Sequence, residues 1–273
     1  MSILGFHATT TDKDELRRLL KTNTPFQIMP GGRKIIKPKE VEDFPEGSNP
    51  NVLIHASYMC VPFGRGDLRY MSIHCIELYR KLAEKMGSTA VLLHMPASPS
   101  ELANFPVAIE VMRKKGIDLI DIHLETVPLT KDMQKRLGIT AENAFDVYCN
   151  LIDEIFTIAP ECPLVVDTAH LFACGLNGAD QVKFLQRYRE RITWIHLNGV
   201  CSPMFCQDIH TPICRPGGDN NLTGIDEIMK EIVAGGYRCI AENNKRTARR
   251  DEWEAFTSKY GMSIVEHSSI FAY

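Results

Sequence analysis

The stretch Leu164-Val165-Val166-Asp167-Thr168-Ala169-His170 decides how this chain is interpreted. Three apolar residues run into an aspartate, and a histidine follows three residues later. A short β-branched run after Pro163 predicts a fully buried strand of a parallel sheet. A carboxylate at the C-terminal end of such a strand lies where α/β folds place their chemistry. Asp167 and His170 therefore suit a metal ion, although a helix-capping aspartate followed by a surface histidine explains this single stretch equally well.

The bulk composition is that of a globular protein. The chain has 273 residues, of which 44% are hydrophobic and 24% charged, enough for one large α/β domain or two small ones. No apolar run reaches the roughly 18 residues of a membrane helix, and residues 1–4 lead into a strand pattern rather than a signal peptide. Nine cysteines without a CxxC pair predict reduced thiols. We expect an intracellular, reducing compartment, cytoplasm or nucleus, with no membrane contact and a monomeric chain.

A strand-then-helix pattern recurs along the whole chain. The predicted strands are Ile3–His7, Pro25–Met29, Val52–His55, Ala90–His94, Leu119–Glu125, Leu164–Asp167, Thr193–His196 and Cys239–Glu242. Eight such units in about 250 residues predict a (β/α)₈ (TIM) barrel, as a single domain over residues 1–273. A doubly wound open sheet is the alternative, but Gly5-Phe6-His7-Ala8-Thr9 is not the glycine-rich turn that it normally carries.

Polar residues stand at the ends of the predicted strands. They are His55, His94, Glu125, Asp167 with His170, His196 and Glu242, and Asp208-Ile209-His210 follows the seventh strand. In a parallel barrel these ends converge on one face, where four carboxylates would repel each other unless divalent cations neutralise them. Nine nitrogen and oxygen ligands suit about three zinc-like ions with one bridging carboxylate. His7 ends the first strand and is expected to line the same pocket.

The motifs around these residues resemble the endonuclease IV family of apurinic/apyrimidinic (AP) endonucleases, which are trinuclear zinc barrels. The similarity runs over nearly the full length. The matching motifs are His55-Ala56-Ser57-Tyr58, Leu93-His94, Leu124-Glu125-Thr126, Asp167-Thr168-Ala169-His170, His196-Leu197-Asn198, Asp208-Ile209-His210 and Ala241-Glu242. Most are weak singly, but all seven occur in order and at barrel spacing.

The resemblance implies a role for each ligand. One zinc is held by His55, His94 and Glu125; a second by Glu125, Asp167, His196 and Glu242; and a third by His170, Asp208 and His210. Glu125 would bridge two ions and act as the catalytic residue. The implied cofactor is zinc, about three ions per chain, with manganese possible at one position. Tyr58 and Met59 match residues that the family inserts into the minor groove beside the lesion, and Arg33 falls near another such position.

The chain departs from the family pattern at several places. Ala56 and Gly199 each replace an aspartate, Ile209 replaces an arginine, and the segment 211–222 is longer than usual. All nine ligands are retained, so the departures concern the surroundings of the metals and the DNA contacts. This pattern is that of a divergent member, of the kind that large DNA viruses carry.

Basic residues follow several strand ends, where phosphates of DNA would lie. We predict DNA contacts from Arg33, Lys34, Lys37, Tyr58, Met59, Lys245 and Arg246. Solvated surface charge is the alternative for each basic cluster. The net charge of −3 is weak evidence against nucleic acid, because bound cations or a local basic face reverse the field.

These observations predict a zinc-dependent endonuclease of base excision repair. It would cut double-stranded DNA 5′ of an abasic site and trim blocked 3′ ends. One alternative is a sugar isomerase or epimerase of the same barrel class, which uses one metal and does not need His55, His94 or the Asp208/His210 pair. The other is a non-catalytic protein that recognises damaged DNA, which would not need the full ligand set.

Overall fold

Eight parallel strands close into a barrel in the computed structural model, which describes residues 3–8, 12–32, 34–206, 209–214, 220–242 and 250–264. The barrel strands are β1 (Ile3–His7), β2 (Phe26–Ile28), β3 (Val52–His55), β4 (Val91–His94), β5 (Ile122–Glu125), β6 (Leu164–Asp167), β7 (Ile192–His196) and β10 (Arg238–Ala241). Each strand pairs with its neighbour in chain order, and β10 pairs with β1 to close the ring. The predicted (β/α)₈ fold is therefore confirmed.

Helices follow the strands and cover the outside of the barrel. They are α1 (Lys13–Leu20), α2 (Pro38–Glu42), α3 (Asp67–Met86), α4 (Pro99–Lys114), α5 (Lys131–Leu137), α6 (Ala144–Ile158), α7 (Thr168–Ala173), α8 (Ala179–Arg187), α9 (Ile225–Gly235) and α10 (Arg250–Lys259). A small hairpin of β8 (Gly199–Val200) and β9 (His210–Thr211) follows β7, and β11 (Ser263–Ile264) adds to β1. Within the described ranges, every helix is too short or too polar to cross a membrane.

Two of the differences between predicted and observed strand bounds bear on the site; the others, at β2, β4, β7 and the start of β10, are of one residue. Leu119–Asp121 forms a turn of 3₁₀ helix, because the Asp118 side chain accepts a hydrogen bond from the Ile120 backbone N–H (3.2 Å) and caps the turn before β5 begins. Glu242 lies one residue beyond β10 rather than at its end. The inward position of this glutamate is therefore not set by strand pairing.

The barrel interior has two zones, which we call the floor and the mouth. The floor is a separate apolar cluster inside the barrel, made of Leu53, Ala90, Leu92, Val165, Trp194 and Ile240. Side chains alternate between the two faces of a strand, so the residue two positions after a floor residue also points inward. Those residues are His55, His94, Asp167 and His196; they form the mouth together with Glu125 and with Glu242, which follows β10. The other buried apolar residues pack between the sheet and the helices.

His123 lies at the level of the floor, beside Leu92, and not at the mouth. It lies two residues before Glu125 on β5, is buried, and has its Nδ1 2.9 Å from the Thr193 hydroxyl. Burial, with a smaller effect of the Arg238 charge, lowers the pKa of His123 to about 3. It is a neutral core histidine with a hydrogen-bond partner.

Candidate metal centre

Eight of the nine predicted ligands lie together at the mouth in three overlapping groups. The first group is His55, His94 and Glu125; the second is Glu125, Asp167, His196 and Glu242; the third is Asp167, His170 and His210. The potential ligand atoms within each group lie within 4.8 Å of one another. Asp208, the ninth, falls outside the described residues. Asp167 belongs to two groups, a sharing that the sequence analysis did not anticipate.

Glu125 lies between the first and second groups. Its Oε2 is 3.3 Å from His94 Nε2 and 3.6 Å from His55 Nε2, while its Oε1 is 2.7 Å from His196 Nδ1. The side chain is only 1% exposed. Because each carboxylate oxygen faces a different group, the geometry is that of a bridging ligand.

Asp167 caps a helix with one oxygen and faces the ligands with the other. Its Oδ1 accepts hydrogen bonds from the backbone N–H groups of Ala169 (2.7 Å) and His170 (3.0 Å), at the start of α7. Its Oδ2 accepts from the Asn198 amide (2.6 Å) and lies 3.7 Å from His210 Nε2. Asp167 therefore caps the helix with one oxygen and leaves the other available to a cation, and His170 is buried rather than on the surface.

Backbone carbonyls orient two of the histidines. His55 Nδ1 lies 2.7 Å from the Ala56 carbonyl oxygen, and His170 Nδ1 lies 2.6 Å from the Thr126 carbonyl oxygen. A proton on Nδ1 satisfies each contact and leaves Nε2 with its lone pair available for a metal. Burial lowers the pKa of His55 to about 4, which keeps this ring neutral and able to act as a ligand.

The charges of the mouth depend on each other. Burial is the strongest single influence on Glu125 and favours its neutral form, but His196 and His94 together outweigh it and hold its pKa well below the usual value. Burial likewise favours neutral His196, yet Glu242 and Glu125 raise the pKa of His196 to about 9. The carboxylates of the mouth thus favour the charged form of His196.

The donor set fits divalent cations. Two deeply buried atoms, Glu125 Oε2 and His196 Nε2, lack a well-formed hydrogen bond among the described residues. Imidazoles and carboxylates without a thiolate are typical ligands of zinc and of related first-row metals at catalytic sites. Several buried carboxylates at one place are costly unless positive charge compensates them.

A cleft of about 870 Å³ opens above the mouth. It is lined by His7, as predicted, and by residues of the β3–α3 loop. Tyr58 lies over the first group, with its ring centroid 5.8 Å from that of His55 and 5.6 Å from that of His94. Tyr58 is 57% exposed and Met59 55% exposed, so neither packs inside its loop.

The predicted DNA-contact residues are only partly described. Lys34 and Lys37 are exposed in the loop between β2 and α2. Arg33, Lys245 and Arg246 fall outside the described residues. The structure thus brings Tyr58 to the cleft beside the predicted ligands, leaves Met59 exposed on the same loop, and leaves Lys34 and Lys37 exposed on the β2–α2 loop.

Three side chains form hydrogen bonds with predicted ligands, and the sequence analysis did not predict this role for them. Asn198 binds Asp167, the Thr126 hydroxyl accepts a hydrogen bond from the Asp167 backbone N–H (2.9 Å), and Gln27 donates to Glu242 Oε1 (2.5 Å). Asn198 and Thr126 stand beside ligands in the motifs, whereas Gln27 is an amide within an apolar strand. That contrast is the only sequence signal Gln27 offers.

The departures from the family pattern have structural counterparts. At Gly199 an added Cβ would lie 2.8 Å from Asn220 Nδ2, because the Asn220 side chain fills this space and accepts a hydrogen bond from the Val200 backbone N–H. Ala56 is buried, and its carbonyl oxygen lies 2.7 Å from His55 Nδ1. Ile209 is 51% exposed beside His210.

Comparison with known proteins shows the fold. The chain is similar to endonuclease IV from Thermus thermophilus (TM-score 0.62, 18% identity, 94% of this chain and 99% of that chain covered). It is also similar to a xylose isomerase domain protein from Planctomyces limnophilus (TM-score 0.57, 14% identity, 94% and 97% covered). A third is a sugar phosphate isomerase/epimerase from Parabacteroides distasonis (TM-score 0.51, 13% identity, 94% and 95% covered). No protein-family model and no curated protein matches the sequence.

Proposed function

We propose that this chain is a divalent-cation-dependent endonuclease that cleaves DNA 5′ of abasic sites and trims blocked 3′ ends, as in base excision repair. The observation that carries the proposal is the presence of three ligand groups at one barrel mouth rather than one. Hydrolysis of a phosphodiester spreads charge over attacking, equatorial and leaving oxygens, and several adjacent cation positions match that need. Similarity to endonuclease IV in fold supports it.

The residues of the mouth have defined parts in this proposal. Zinc, about three ions per chain, would be held by the three groups, with Glu125 shared by two of them and manganese possible at one position. A cation bound there supplies Lewis acidity and lowers the pKa of water. The buried carboxylates and carbonyl-oriented imidazoles fix the positions of the cations, so little reorganisation is needed when substrate enters.

The substrate would be double-stranded DNA that contains an abasic nucleotide. An abasic nucleotide is the easiest to turn out of a helix, because no base pair is broken. Tyr58 is exposed beside the first group and Met59, the next residue, is exposed too, so both would be available to enter the gap left by the missing base. Lys34 and Lys37, which are exposed on the β2–α2 loop, would contact backbone phosphates.

A sugar isomerase or epimerase is the second candidate, and one observation favours it. The second group, with Glu125, Asp167, His196 and Glu242, is by itself a complete four-ligand site for one metal. Two of the similar structures are named as isomerase-type proteins. This candidate leaves His55, His94, His170 and His210 without a role, although they surround the same cleft.

Incision of a duplex with one abasic site tests the proposal. The zinc-loaded protein should release a 3′-hydroxyl and a 5′-deoxyribose phosphate, and an intact duplex should remain uncut. His94→Ala removes a ligand of the first group and should abolish incision, while His74→Ala, an exposed histidine on α3, should preserve it. A zinc-loaded wild-type protein that leaves abasic DNA uncut would refute the proposal.

A further inference from the structure

Gln27 is a buried amide in a strand that is otherwise apolar. Its neighbours in β2, Phe26 and Ile28, are buried hydrophobic residues, and Gln27 itself is 0% exposed. The strand register places it opposite Leu53 of the floor and His7 of the cleft, so its side chain shares the inward face of the barrel. Burying an amide is costly without hydrogen-bond partners. A partner must therefore account for its presence.

That partner is the carboxylate of Glu242. Gln27 Nε2 donates to Glu242 Oε1 at 2.5 Å, and a long contact of 3.5 Å joins the same nitrogen to His7 Nδ1. A carboxylate oxygen only accepts, so the nitrogen end of the amide must face it. Gln27 Oε1 is buried and has no hydrogen-bond partner among the described residues. The contact with Glu242 is thus the main polar interaction of this side chain.

Glu242 needs an external support more than the other carboxylates do. It lies beyond the last residue of β10, so strand pairing does not fix it. Its two oxygens lie 3.6 Å from His196 Nδ1 and 3.6 Å from His210 Nδ1. Asp167, in contrast, is fixed by a helix N-terminus and by the Asn198 amide. Gln27 is to Glu242 what Asn198 is to Asp167, an amide from another element that binds one ligand oxygen.

We infer that Gln27 is a positioning residue that holds Glu242 in the second group and thereby sets how tightly this group binds a divalent cation. The inference rests on the metal centre of the proposed function but not on its substrate. An amide bound to one oxygen fixes the orientation of the whole carboxylate, and loss of such outer contacts weakens metal binding. It also fixes the rotamer of Glu242 before the cation arrives, so less conformational freedom is lost on binding.

Substitution of two buried glutamines separates positioning from packing. Gln27→Met keeps the approximate volume and removes the hydrogen bond to Glu242. Gln181→Met is the matched control, because Gln181 is also 0% exposed but donates to the backbone carbonyls of Thr168 and Leu176 rather than to a ligand. Zinc retained by the full chain is measured over a series of chelator concentrations, together with the melting temperature of the metal-free protein.

The expected result is a selective loss of one metal equivalent. Gln27→Met should release it at about 10- to 100-fold lower chelator concentration than wild type, and Gln181→Met should not, although both are expected to lower the melting temperature. Gln27→Asn, which withdraws the amide by one methylene, is a milder second variant and should shift the same equivalent in the same direction. Wild-type metal retention by the folded Gln27 variants would overturn the inference.

A double-mutant cycle tests whether Gln27 acts through Glu242. In a Glu242→Gln background the ligand charge is already lost, so Gln27→Met should weaken zinc retention no further. A loss of equal size in both backgrounds would overturn the inference. These zinc measurements do not depend on incision. If the wild type retains zinc as expected but leaves abasic DNA uncut, the proposed function is refuted and the role of Gln27 stands.

Discussion

The floor and the mouth of the barrel are built from the same strands but meet opposite demands. Trp194 and His196 are two residues apart on β7, both point inward and both are 0% exposed. The floor residue contributes apolar burial, which stabilises the fold in proportion to the area removed from water. The mouth residue is surrounded by carboxylates that would be costly without a cation. Of two inward-facing residues on one strand, the first thus stabilises the fold and the second lies at the candidate site, as expected near the C-terminal face of a parallel barrel.

The largest effect should come from the floor. Trp194→Ala removes the largest side chain of the apolar cluster and should lower the free energy of unfolding by about 3–5 kcal/mol. Denaturant titration of the metal-free protein measures this. Leu53→Met is a volume-conserving control and should cost less than about 1.5 kcal/mol. If Trp194→Ala loses little stability, or if its folded fraction no longer binds metal, the separation between floor and mouth is wrong.

Glu125→Gln, at the mouth, should impair activity strongly and affect stability little, the opposite of Trp194→Ala. The loss of a shared ligand should reduce incision of abasic DNA at least ~100-fold. The melting temperature of the metal-free protein should change much less than in Trp194→Ala, because glutamine keeps the volume of the side chain and its repulsion with Glu242 is removed. Incision rates and thermal unfolding of the same preparation test both halves. Activity within a few-fold of wild type would remove Glu125 from the site.

The pH dependence of the metal-free protein should reveal the mouth without any substrate. The pKa of His196 is raised to about 9, so its stabilising effect is present below pH 6.5 and is lost as the pH rises toward 9. The pKa of His55 is lowered to about 4, so stability is lost as the pH falls from 6.5 toward 4. The melting temperature should therefore peak near pH 6.5.

Variants identify which histidine causes each side of that pH profile. His196→Gln should flatten the alkaline side, and His55→Gln should reduce the slope of the acidic side, to which the lowered pKa of His123 also contributes. Saturating zinc should flatten both, because a bound cation replaces the proton on His196 and competes with protonation of His55. A melting temperature that rises steadily from pH 6.5 to 9 in the metal-free wild type would contradict the charge distribution described for the mouth.

The smallest effects are expected at the rim of the cleft. Tyr58→Ala should weaken binding to abasic duplex by roughly 1–3 kcal/mol and spare intact duplex, because its ring is expected to stack in the gap. Lys34→Ala with Lys37→Ala should weaken both duplexes together and reduce the salt dependence. Binding titrations on paired duplexes distinguish these results. Equal losses on both duplexes for Tyr58→Ala, with a lower melting temperature, would assign it to loop packing.

The strand ends were predictable from sequence, and the supports around them were not. Short β-branched runs that terminate in His55, His94 or Asp167 carry both the strand and the ligand in one local pattern. The contact between Gln27 and Glu242 joins residues 215 positions apart, and no local pattern encodes it. The 3₁₀ turn before β5 was missed for the opposite reason, since an apolar run there hid the capping effect of Asp118.

Among the predicted ligands, too, some are brought together by strand pairing and others by contacts distant in sequence. Pairing in the sheet is enough to bring His94 beside Glu125, whose Cα atoms are register partners on β4 and β5. Asp167 and His196 are register partners in the same way on β6 and β7. His210 instead reaches the mouth through the β8–β9 hairpin, whose geometry depends on Asn220 filling the space beside Gly199. The sequence predicted His170 and His210 as ligands of the third group, but it did not predict that Asp167 belongs to both the second and the third group.

The most direct test of the central claim is the metal content of the purified chain. Three overlapping ligand groups at one mouth predict that elemental analysis after mild dialysis gives more than two and close to three zinc equivalents per chain. Mass spectrometry of the undenatured protein provides the same count independently. A reproducible value near one equivalent would contradict the trinuclear mouth and favour a single-metal isomerase built on the second group alone.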